Sequence, residues 1–389
     1  ELPAPTKKVD SDCASHHPQR RAQPKAFRTM GMTKVDTSIV AEGMREKIRR
    51  DVQLVPGVRP RLVGFLCADR RLQSFDDARD FATGAPSHNC RKPVANKDPA
   101  ARKYAEWTGR AATKDGIEYE LREVEACELG AALHAANKDD DVHGILIYYP
   151  VFGFQPSFFG GSMDDQLRDA ISPQKDVEGL CTTYRHNLYR NIRRVDRWRR
   201  SIVPCTPLAV VKCLEHVGVH KRDGGGMAGV VCSVVNRSEI VGRPLAAMLA
   251  NDGATVYSID IDSIYVMRKG EMAPCKLSPE EAIKASDVVV LGVPSPKYKL
   301  KVATLKKGAV VVNVSGFKNL DDSDATDDDV YTYIPLVGRV TVACLERSLV
   351  CLYKQYHVPK LRLKKALKWL PVALAAAAAL GAVAMKKRA

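Results

Sequence analysis

The sequence predicts a two-domain α/β protein in which a mostly parallel sheet forms the centre of each domain. Short apolar runs typical of strands alternate with segments whose apolar residues recur at helical spacing. The alternation occurs in two blocks, and the second block begins after Thr206-Pro207. Strands separated by helices favour parallel pairing with helices on both faces of the sheet. The length of 389 residues agrees with two or three domains.

The first block predicts an N-terminal α/β domain over residues 33–206. One of its helices begins at Asp98-Pro99, because aspartate caps a helix N-terminus and proline fits the first helical position. In chain order the predicted elements are a helix over 37–52, a strand over 62–66, a helix from 99 to about 114, a strand over 119–124, a helix over 128–137 and a strand over 144–148.

The second block predicts a Rossmann-like domain with a parallel sheet over residues 207–335. A last predicted helix, over 340–356, is assigned to the first domain, which it completes. In chain order the elements of the second block are a helix to about 217, a strand over 229–235, a helix over 241–251, a strand over 255–259, a helical segment over 280–284 and strands over 288–293 and 309–314.

Three segments lie outside this pattern. Residues 1–32 are polar and are predicted to be disordered or extraneous. Residues 67–95 lack periodicity and are interpreted as an insertion, since structureless loops of that length are unusual in a compact domain. Residues 360–389 form a basic and apolar tail, whose 17-residue apolar stretch is at the lower limit of a membrane span. Weak C-terminal membrane association, a surface helix and a sequence artefact are the alternatives for this tail.

Charge and cysteine content exclude several classes of protein. The net charge is +15, but outside 1–30, 67–95 and 360–389 the remaining 300 residues hold 41 basic and 38 acidic groups. A nucleic-acid partner is therefore not predicted, because binding phosphates requires clustered Lys and Arg. The eleven cysteines are scattered without a CxxC pair, so no disulfide framework and no metal site is predicted. This pattern favours a reducing, cytoplasmic location.

A candidate anion-binding turn follows the strand that ends at Val235. Residues 236–244 read Asn-Arg-Ser-Glu-Ile-Val-Gly-Arg-Pro, and a strand-to-helix turn directs backbone N–H groups at an anion such as a dinucleotide pyrophosphate. Asp260 lies 24 residues after Asn236, where its carboxylate can accept hydrogen bonds from both ribose hydroxyls of NAD and repel the 2′-phosphate of NADP. NAD is therefore the predicted cofactor. The alternatives are an ordinary turn, a solvated Asp260, and Asp262 in its place.

Three further groups of residues could carry chemistry. Asp176 and Glu178 flank a glycine turn and can present paired acceptors to a heterocycle that bears an amino group and a ring N–H; a capped surface turn is the alternative. Cys205 precedes a helix, and without a nearby histidine it is a poor candidate nucleophile. Tyr104 and Thr108 lie one turn apart on one helix face, where a tyrosine can pack in the core or support a substrate.

In their order along the chain these segments resemble the methylenetetrahydrofolate dehydrogenase/cyclohydrolase family, most members of which are bifunctional. The resemblance covers about residues 33–356 apart from the insertion. The sequences of these motifs are similar to those of the NAD-dependent, monofunctional members from the fungal cytosol. The segments that carry the resemblance are Asp98-Pro99, Tyr104, 144–150, 175–179, 204–207, 237–244 and 340–343.

The resemblance implies roles for individual residues. Tyr104 would pack on the folate ring system, and Glu178 replaces the aspartate that recognises the pterin edge. Thr108 stands where bifunctional members have a lysine, and Tyr148 replaces the glutamine that supports it. The implied catalytic residues are Tyr104, Thr108 and Tyr148, and the implied substrate-binding residues are Tyr104, Asp176, Glu178 and Pro335. The implied cofactor-binding residues are Asn236 (a glycine in the family), Arg237, Ser238, Ile240, Val241, Asp260, Cys205 and Thr341.

The implied reaction is NAD-dependent oxidation of 5,10-methylenetetrahydrofolate to the methenyl form. Hydrolysis of the methenyl product needs managed proton transfers suited to a lysine, whereas hydride transfer depends mainly on orientation. Threonine at position 108 therefore predicts a dehydrogenase without cyclohydrolase activity. A bifunctional enzyme and an inactive, membrane-tethered binding protein of the same fold are the alternatives. The family also implies a homodimer.

Overall fold

The computed structural model describes residues 26–29, 31–55, 59–67, 99–153, 155–158, 160–221, 223–361 and 363. Two α/β domains, each built on a sheet with parallel pairing, confirm the predicted fold class. The helices and strands predicted from periodicity are present, with small shifts at their ends. Apart from Cys67, the predicted insertion lies outside the described residues, as do residues 364–389 of the predicted tail.

A β-hairpin precedes the first domain. Strand β1 (Ala26–Thr29) pairs antiparallel with β2 (Met32–Val35), and β2 leads into helix α1 (Thr37–Leu54). Asp36 caps α1, because its carboxylate accepts the N–H of Ser38 at 2.9 Å. The prediction that residues 1–32 are disordered or extraneous is therefore wrong for Ala26–Thr29 and Met32, while residues 1–25 lie outside the described part of the chain.

The first domain has a small parallel sheet with β3 at its centre, flanked by β4 and β5. Strand β3 is almost entirely buried, as expected for a parallel strand that is covered on both faces. The elements are β3 (Arg61–Cys67), α2 (Pro99–Lys114), β4 (Glu118–Val124), α3 (Leu129–Lys138), β5 (Gly144–Ile147), α4 (Met163–Ala170) and α5 (Thr182–Tyr189).

The second domain follows in chain order. Its elements are α6 (Cys205–His216), β6 (Val231–Val235), α7 (Gly242–Asn251), β7 (Thr255–Ile259), β8 (Ile264–Arg268), β9 (Glu271–Pro274), α8 (Pro279–Lys284), β10 (Val288–Leu291), β11 (Leu300–Lys301), β12 (Val310–Asn313), β13 (Leu320–Asp321) and β14 (Tyr331–Ile334). Helix α9 (Gly338–Leu352), which was predicted to complete the first domain, follows. A π-helical turn, Tyr353–His357, extends α9.

A large sheet in the order β1-β2-β14-β12-β10-β6-β7-β8-β9 organises the second domain. The run from β2 to β7 is parallel, whereas β1, β8 and β9 pair antiparallel with their neighbours. Strand β2 thus belongs to the sheet of the second domain although it precedes the first domain in sequence. The short strands β11 and β13 pair separately.

Helix α9 connects the two domains by packing against α1 and α6. Its buried residues, such as Leu345, share one hydrophobic cluster with residues of both sheets. The sheet residues of this cluster include Leu62 and Leu146 of the first domain and Val234 of the second. The C-terminal ends of β5 and β6 are thereby brought near one cleft, where ligands commonly bind in α/β proteins. Among the helices that the structure describes, none is long and apolar enough to cross a membrane.

Candidate active site

A cavity of about 300 Å³ lies where the two domains meet. Its wall combines residues of α2 and β5 in the first domain with residues of the α6 and α7 N-termini and of α9. The lining residues that the sequence predicted as site residues are Tyr104, Tyr148, Glu178, Cys205, Ile240, Val241 and Thr341. Those that do not line the cavity are Thr108, Asp176, Asn236, Arg237, Ser238, Asp260 and Pro335.

Tyr104 and Tyr148 form one corner of the cavity, with their rings edge-to-face at 6.0 Å between centroids. The Tyr148 hydroxyl is hydrogen-bonded to the hydroxyl of Tyr119 at 2.8 Å. Thr108 is fully buried behind this corner and donates its hydroxyl to the Tyr104 carbonyl at 2.9 Å. Burial raises the pKa of Tyr104 and of Tyr148 well above the usual tyrosine range. Both phenols are therefore neutral at physiological pH.

Two glycines make room for the tyrosine pair. A Cβ at Gly64 of β3 would lie 2.8 Å from the Tyr148 ring and 2.9 Å from the Tyr119 hydroxyl. A Cβ at Gly109 of α2 would lie 2.8 Å from the Tyr119 ring. The sequence offered no signal for Tyr119, since the space for this residue comes from glycines on two other elements.

The two carboxylates of the turn before α5 have different surroundings. Glu178 lines the cavity, and burial, reinforced by the negative charge of Asp176, raises the pKa of Glu178 to about 8. Asp176 is 1% exposed and accepts the backbone N–H groups of Glu178 at 3.1 Å, Gly179 at 2.9 Å and Cys181 at 2.8 Å. Asp176 therefore holds the turn that presents Glu178, and its assignment to substrate binding stays a prediction.

Tyr149 also lines the cavity and was not identified from the sequence. Its hydroxyl is buried and has no hydrogen-bond partner in the described part of the chain. The guanidinium of Arg168 lies 5.1 Å from its ring centroid, and burial raises the pKa of Tyr149 far above its usual value. An unpartnered buried hydroxyl is costly, so a ligand that bonded to it would remove that cost.

Cys205 and Thr341 also line the cavity. The Cys205 thiol is 5% exposed and donates to the Val177 carbonyl at 3.1 Å, and burial raises the pKa of this thiol strongly. A neutral, hydrogen-bonded thiol is a poor nucleophile. The Thr341 hydroxyl donates to the Val337 carbonyl at 3.2 Å. Pro335 lies in the loop after β14, outside the cavity wall, where its carbonyl accepts from Asn313 at 3.5 Å.

The loop between β6 and α7 closes tightly on itself. Asn236 has φ of +85°, a left-handed conformation that asparagine tolerates better than most residues. A Cβ at Gly242 would lie 1.8 Å from the Asn236 carbonyl oxygen, so only glycine fits there. Ser238 accepts the N–H groups of Val241 and Gly242 at 3.3 Å each and thereby caps α7. This hydroxyl stabilises the loop and does not line the cavity.

Arg237 bonds to the protein itself. Its guanidinium donates to Ser258 Oγ and the Ser258 carbonyl at 3.0 and 2.7 Å, and to Ser263 Oγ and the Ser263 carbonyl at 3.0 and 2.9 Å. It also lies 4.7 Å from the ring centroid of Tyr265. The side chain thereby fastens the loop to β7 and β8, and the assignment of Arg237 to cofactor binding stays a prediction.

Asp260 lies directly after β7, beside this loop. Its two oxygens accept the N–H of Arg237 at 3.3 Å and of Ile261 at 2.9 Å, which leaves lone pairs on both oxygens for further donors. The backbone N–H groups of Ser238, Glu239 and Ile240 have no partner among the residues described. These donors and this carboxylate fit the pyrophosphate and ribose of a dinucleotide. The rival carboxylate, Asp262, is exposed beyond the strand end.

No group of three or more His, Cys, Asp or Glu side chains able to hold a metal ion occurs in the ranges that the structure covers. The groups that could act on a ligand are consequently the phenols, Glu178, Asp260 and backbone N–H donors. This set can bind a planar heterocycle on one side and a dinucleotide on the other. It can orient two reactants, but it offers no lysine in the cavity wall.

Comparisons with known proteins agree with this arrangement. The model of the tetrahydrofolate dehydrogenase/cyclohydrolase catalytic domain matches residues 93–178, and the model of the NAD(P)-binding domain of the same family matches 204–356. The methylenetetrahydrofolate dehydrogenase [NAD(+)] of Dictyostelium discoideum is 44% identical, over 68% of this chain and 87% of the relative. That of Schizosaccharomyces pombe is 40% identical, over 81% of this chain and 91% of the relative.

A solved structure is similar throughout. The NAD-dependent 5,10-methylenetetrahydrofolate dehydrogenase from Saccharomyces cerevisiae superposes with a TM-score of 0.69 at 36% identity. The match covers 84% of this chain and 98% of that chain.

Proposed function

Since this chain belongs to the tetrahydrofolate dehydrogenase/cyclohydrolase family, we propose that it oxidises 5,10-methylenetetrahydrofolate to the 5,10-methenyl form with NAD as the hydride acceptor. The single observation that carries the proposal is the shared cavity. It brings Tyr104 and Glu178 of the first domain together with Ile240 and Val241, which end the loop before α7. The names of the relatives that are 40–44% identical support the same activity.

The first domain supplies the folate site in this proposal. The Tyr104 ring packs on the folate ring system, and the Glu178 carboxylate accepts hydrogen bonds from the amino and ring N–H groups of the pterin. Ionised Glu178 is the form that binds, because both pterin groups are donors. The unpartnered Tyr149 hydroxyl supplies one more hydrogen bond to the substrate.

The second domain supplies the cofactor site. Asp260 accepts the ribose hydroxyls, and the N–H groups of residues 238–240 bind the pyrophosphate. When bound, NAD supplies the hydride acceptor. The residues of the cavity wall orient the two reactants and exclude water, and the positive charge that develops on the folate is shared by its two flanking nitrogens. No general base is required for this step, in agreement with the neutral phenols and thiol of the cavity wall.

We also propose that the enzyme lacks cyclohydrolase activity. In the position of the family lysine, the Thr108 hydroxyl bonds to its own helix, and Tyr148 bonds to Tyr119. Neither residue offers the mobile amine that would manage proton transfers during hydrolysis.

Cytosolic location and homodimer formation complete the proposal. All nine cysteines that the structure describes are free, which suits a reducing compartment. The homodimer rests on the family resemblance, and light scattering on the purified chain would test it.

A paired assay tests the activity. The purified chain is given methylenetetrahydrofolate with NAD or NADP, and reduced nicotinamide and the methenyl product are followed together. We expect turnover with NAD and loss of the methenyl product at its spontaneous rate. Faster loss of the methenyl product would show a bifunctional enzyme, and absence of turnover with both cofactors would favour the binding-protein alternative.

A further inference from the structure

A basic hairpin over residues 190–200, which we call the arginine hairpin, connects α5 to the segment before α6. Its sequence, Arg-Asn-Ile-Arg-Arg-Val-Asp-Arg-Trp-Arg-Arg, contains six arginines and one aspartate, a net charge of +5. None of its residues lines the cavity. The proposed dehydrogenase activity therefore does not account for it.

The arginine hairpin has a defined conformation. Arg194 and Arg200 form an antiparallel bridge, and the Val195 N–H donates to the Arg199 carbonyl at 2.9 Å. At the tip, the Asp196 carboxylate accepts the N–H groups of Trp198 at 2.9 Å and Arg199 at 2.8 Å. The single acidic residue thus holds the turn, and the tip presents its side chains in a fixed arrangement.

The arginine hairpin exposes large apolar side chains. Trp198 is 79% exposed, Ile192 42% and Val195 38%. A tryptophan this accessible on an ordered turn forgoes the burial that usually stabilises an aromatic side chain. Several exposed apolar groups close together, surrounded by charge, are typical of an interaction surface.

Most of the positive charge is available to a partner. Arg193 pairs with Asp252 at 3.0 Å, and Arg199 pairs with Asp196. The other four arginines have no carboxylate partner in the part of the chain that the structure describes; they are Arg190, Arg194, Arg197 and Arg200. The Arg197 guanidinium lies 5.1 Å from the Trp198 ring centroid, so charge and aromatic surface are combined at the tip.

The position of the arginine hairpin is also informative. Gln355, just after α9, receives the Arg200 N–H, and the Arg199 guanidinium lies 4.8 Å from the Tyr356 ring centroid. The arginine hairpin is therefore held against the π-helical turn that extends α9.

We propose that the arginine hairpin docks the enzyme on an anionic membrane surface. Arginine attracts acidic headgroups, and tryptophan with aliphatic residues inserts at the boundary between headgroups and acyl chains. Stable attachment of a peripheral protein takes two weak signals. The arginine hairpin supplies both, since it combines a net charge of +5 with the exposed apolar side chains of Trp198, Ile192 and Val195.

A membrane suits this surface better than single-stranded nucleic acid. Proteins that bind single strands stack successive bases on several aromatic side chains. Trp198 is the only aromatic residue of the arginine hairpin, and the other exposed apolar side chains, Ile192 and Val195, cannot stack bases. Aliphatic side chains do gain from insertion between lipids.

Vesicle sedimentation with the full chain tests the proposal. The probes are vesicles of phosphatidylcholine with and without phosphatidylserine, at low and at physiological ionic strength. We expect the chain to sediment with the vesicles that contain phosphatidylserine and to be released by salt. The variant Arg190→Gln/Arg194→Gln/Arg197→Gln/Arg200→Gln should lower the partition coefficient by at least about tenfold and keep full dehydrogenase activity.

A matched variant separates a local surface from net charge. Lys276→Gln/Lys284→Gln/Lys297→Gln/Lys307→Gln removes the same charge from exposed lysines of the second domain. Its partition coefficient should stay within about twofold of the wild-type value. The single variant Trp198→Ser should weaken sedimentation without any change of charge, which also provides a test if the arginine variant folds poorly.

Three results would overturn the proposal. Equal losses in the lysine and arginine variants would show that only net charge matters. Undiminished sedimentation of both the arginine variant and Trp198→Ser would place attachment elsewhere in the chain. Failure of the wild-type chain to sediment, together with salt-sensitive binding of a single-stranded oligonucleotide, would identify a nucleic-acid surface instead.

Discussion

The two walls of the cavity use their polar side chains in opposite ways. In the first domain, Glu178 lines the cavity, and so does Tyr149, whose buried hydroxyl has no hydrogen-bond partner among the described residues. In the second domain, the prominent side chains of the motif, Arg237 and Ser238, bond to the protein itself. What this loop offers a ligand is its backbone N–H groups and the nearby carboxylate of Asp260.

This difference shows that a recognisable motif does not identify its own ligand contacts. A folate ring has distinctive donors that side chains must match, whereas a pyrophosphate can be bound by any row of N–H groups in the correct shape. Substitutions in the first-domain wall should therefore change the hydrogen bonds to the folate. Substitutions in the second-domain wall should change the shape of the backbone that binds the cofactor. The following predictions, from the largest expected effect to the smallest, test this contrast.

Substitution of Gly242 by alanine should have the largest effect. The added Cβ would lie 1.8 Å from the Asn236 carbonyl, so the loop must open. We expect a cost of more than about 4 kcal/mol, seen as at least a 1,000-fold rise in the KM for NAD or as loss of folded protein. Steady-state kinetics and thermal unfolding measure both outcomes.

Gly43→Ala is the matched control for Gly242→Ala. Gly43 lies within α1, and a Cβ there would meet no atom within 4 Å. This variant should keep the wild-type KM and gain about 1 kcal/mol of stability from helix propensity. Similar kinetics of the two alanine variants would disprove the role of backbone shape on the second wall.

Glu178→Gln should lower kcat/KM for the folate by about 100-fold, the effect of losing charged hydrogen bonds. The pKa of Glu178 is raised to about 8, and the ionised form binds the pterin donors, so wild-type kcat/KM should rise with pH through about 8. The glutamine variant should show no such rise. A pH profile of both enzymes under folate-limited conditions gives the comparison.

Stability provides a second measurement on the same pair of carboxylates. Because folding raises the Glu178 pKa from 4.5 to about 8, the folded protein holds a proton that the unfolded chain loses, and this group's contribution to the free energy of unfolding falls as pH rises between these values. Glu178→Gln should remove that slope.

Asp176→Asn should instead lower the melting temperature, since three backbone N–H groups bond to its carboxylate. A stable Asp176→Asn variant would contradict its assignment to the turn.

Asp260→Ser should raise the KM for NAD about tenfold and lower the KM for NADP, because the ribose loses an acceptor and a 2′-phosphate is no longer repelled by a negative charge.

Ser263→Ala tests whether the hydrogen bonds that hold Arg237 also affect cofactor choice. Freed from its bond to the Ser263 hydroxyl, the Arg237 guanidinium should improve NADP use while the KM for NAD stays near the wild-type value. An unchanged NADP/NAD ratio in both variants would show that neither residue sets cofactor choice.

Two tyrosine-to-phenylalanine substitutions should have the smallest effects. One should change the folate KM and the other the stability. Tyr149→Phe removes a buried hydroxyl without a protein partner among the described residues, so stability should hold or rise while the folate KM rises about fivefold. Tyr119→Phe removes the partner of Tyr148, so stability should fall by about 1 kcal/mol with an unchanged folate KM. If Tyr149→Phe lowered stability and Tyr119→Phe raised the folate KM, the assignment of Tyr149 to substrate binding and of Tyr119 to structural support would be wrong.

Strongly periodic elements could be predicted from the sequence, and short polar ones could not. Helix α2 has the predicted start because Asp98-Pro99 marks it, and strand β7 has the predicted ends because β-branched and aromatic residues are concentrated there. Helices α4 and α5 have only eight residues each, too few for a periodic pattern to emerge. Strand β2 has little apolar character, and its pairing with β14 is a tertiary feature that no local pattern contains.

The candidate site was predictable in position and only partly in detail. Chain order located Tyr104, Glu178 and Asp260, but the division of labour between Asp176 and Glu178 depends on which carboxylate faces three backbone N–H groups. The arginine hairpin was missed because basic and acidic residues were counted over long segments. In such a sum, acidic residues elsewhere offset the charge of a local cluster. Exposure of Trp198 is visible only once the turn is folded.

The N-terminal hairpin also has a consequence for synthesis of the protein. Strand β2 is synthesised almost 300 residues before its partner β14, since Met32 pairs with Tyr331. Contacts of such long sequence separation form late and slow folding. The edge of β2 is therefore unpaired on this side until β14 has been synthesised, and the large sheet closes only then.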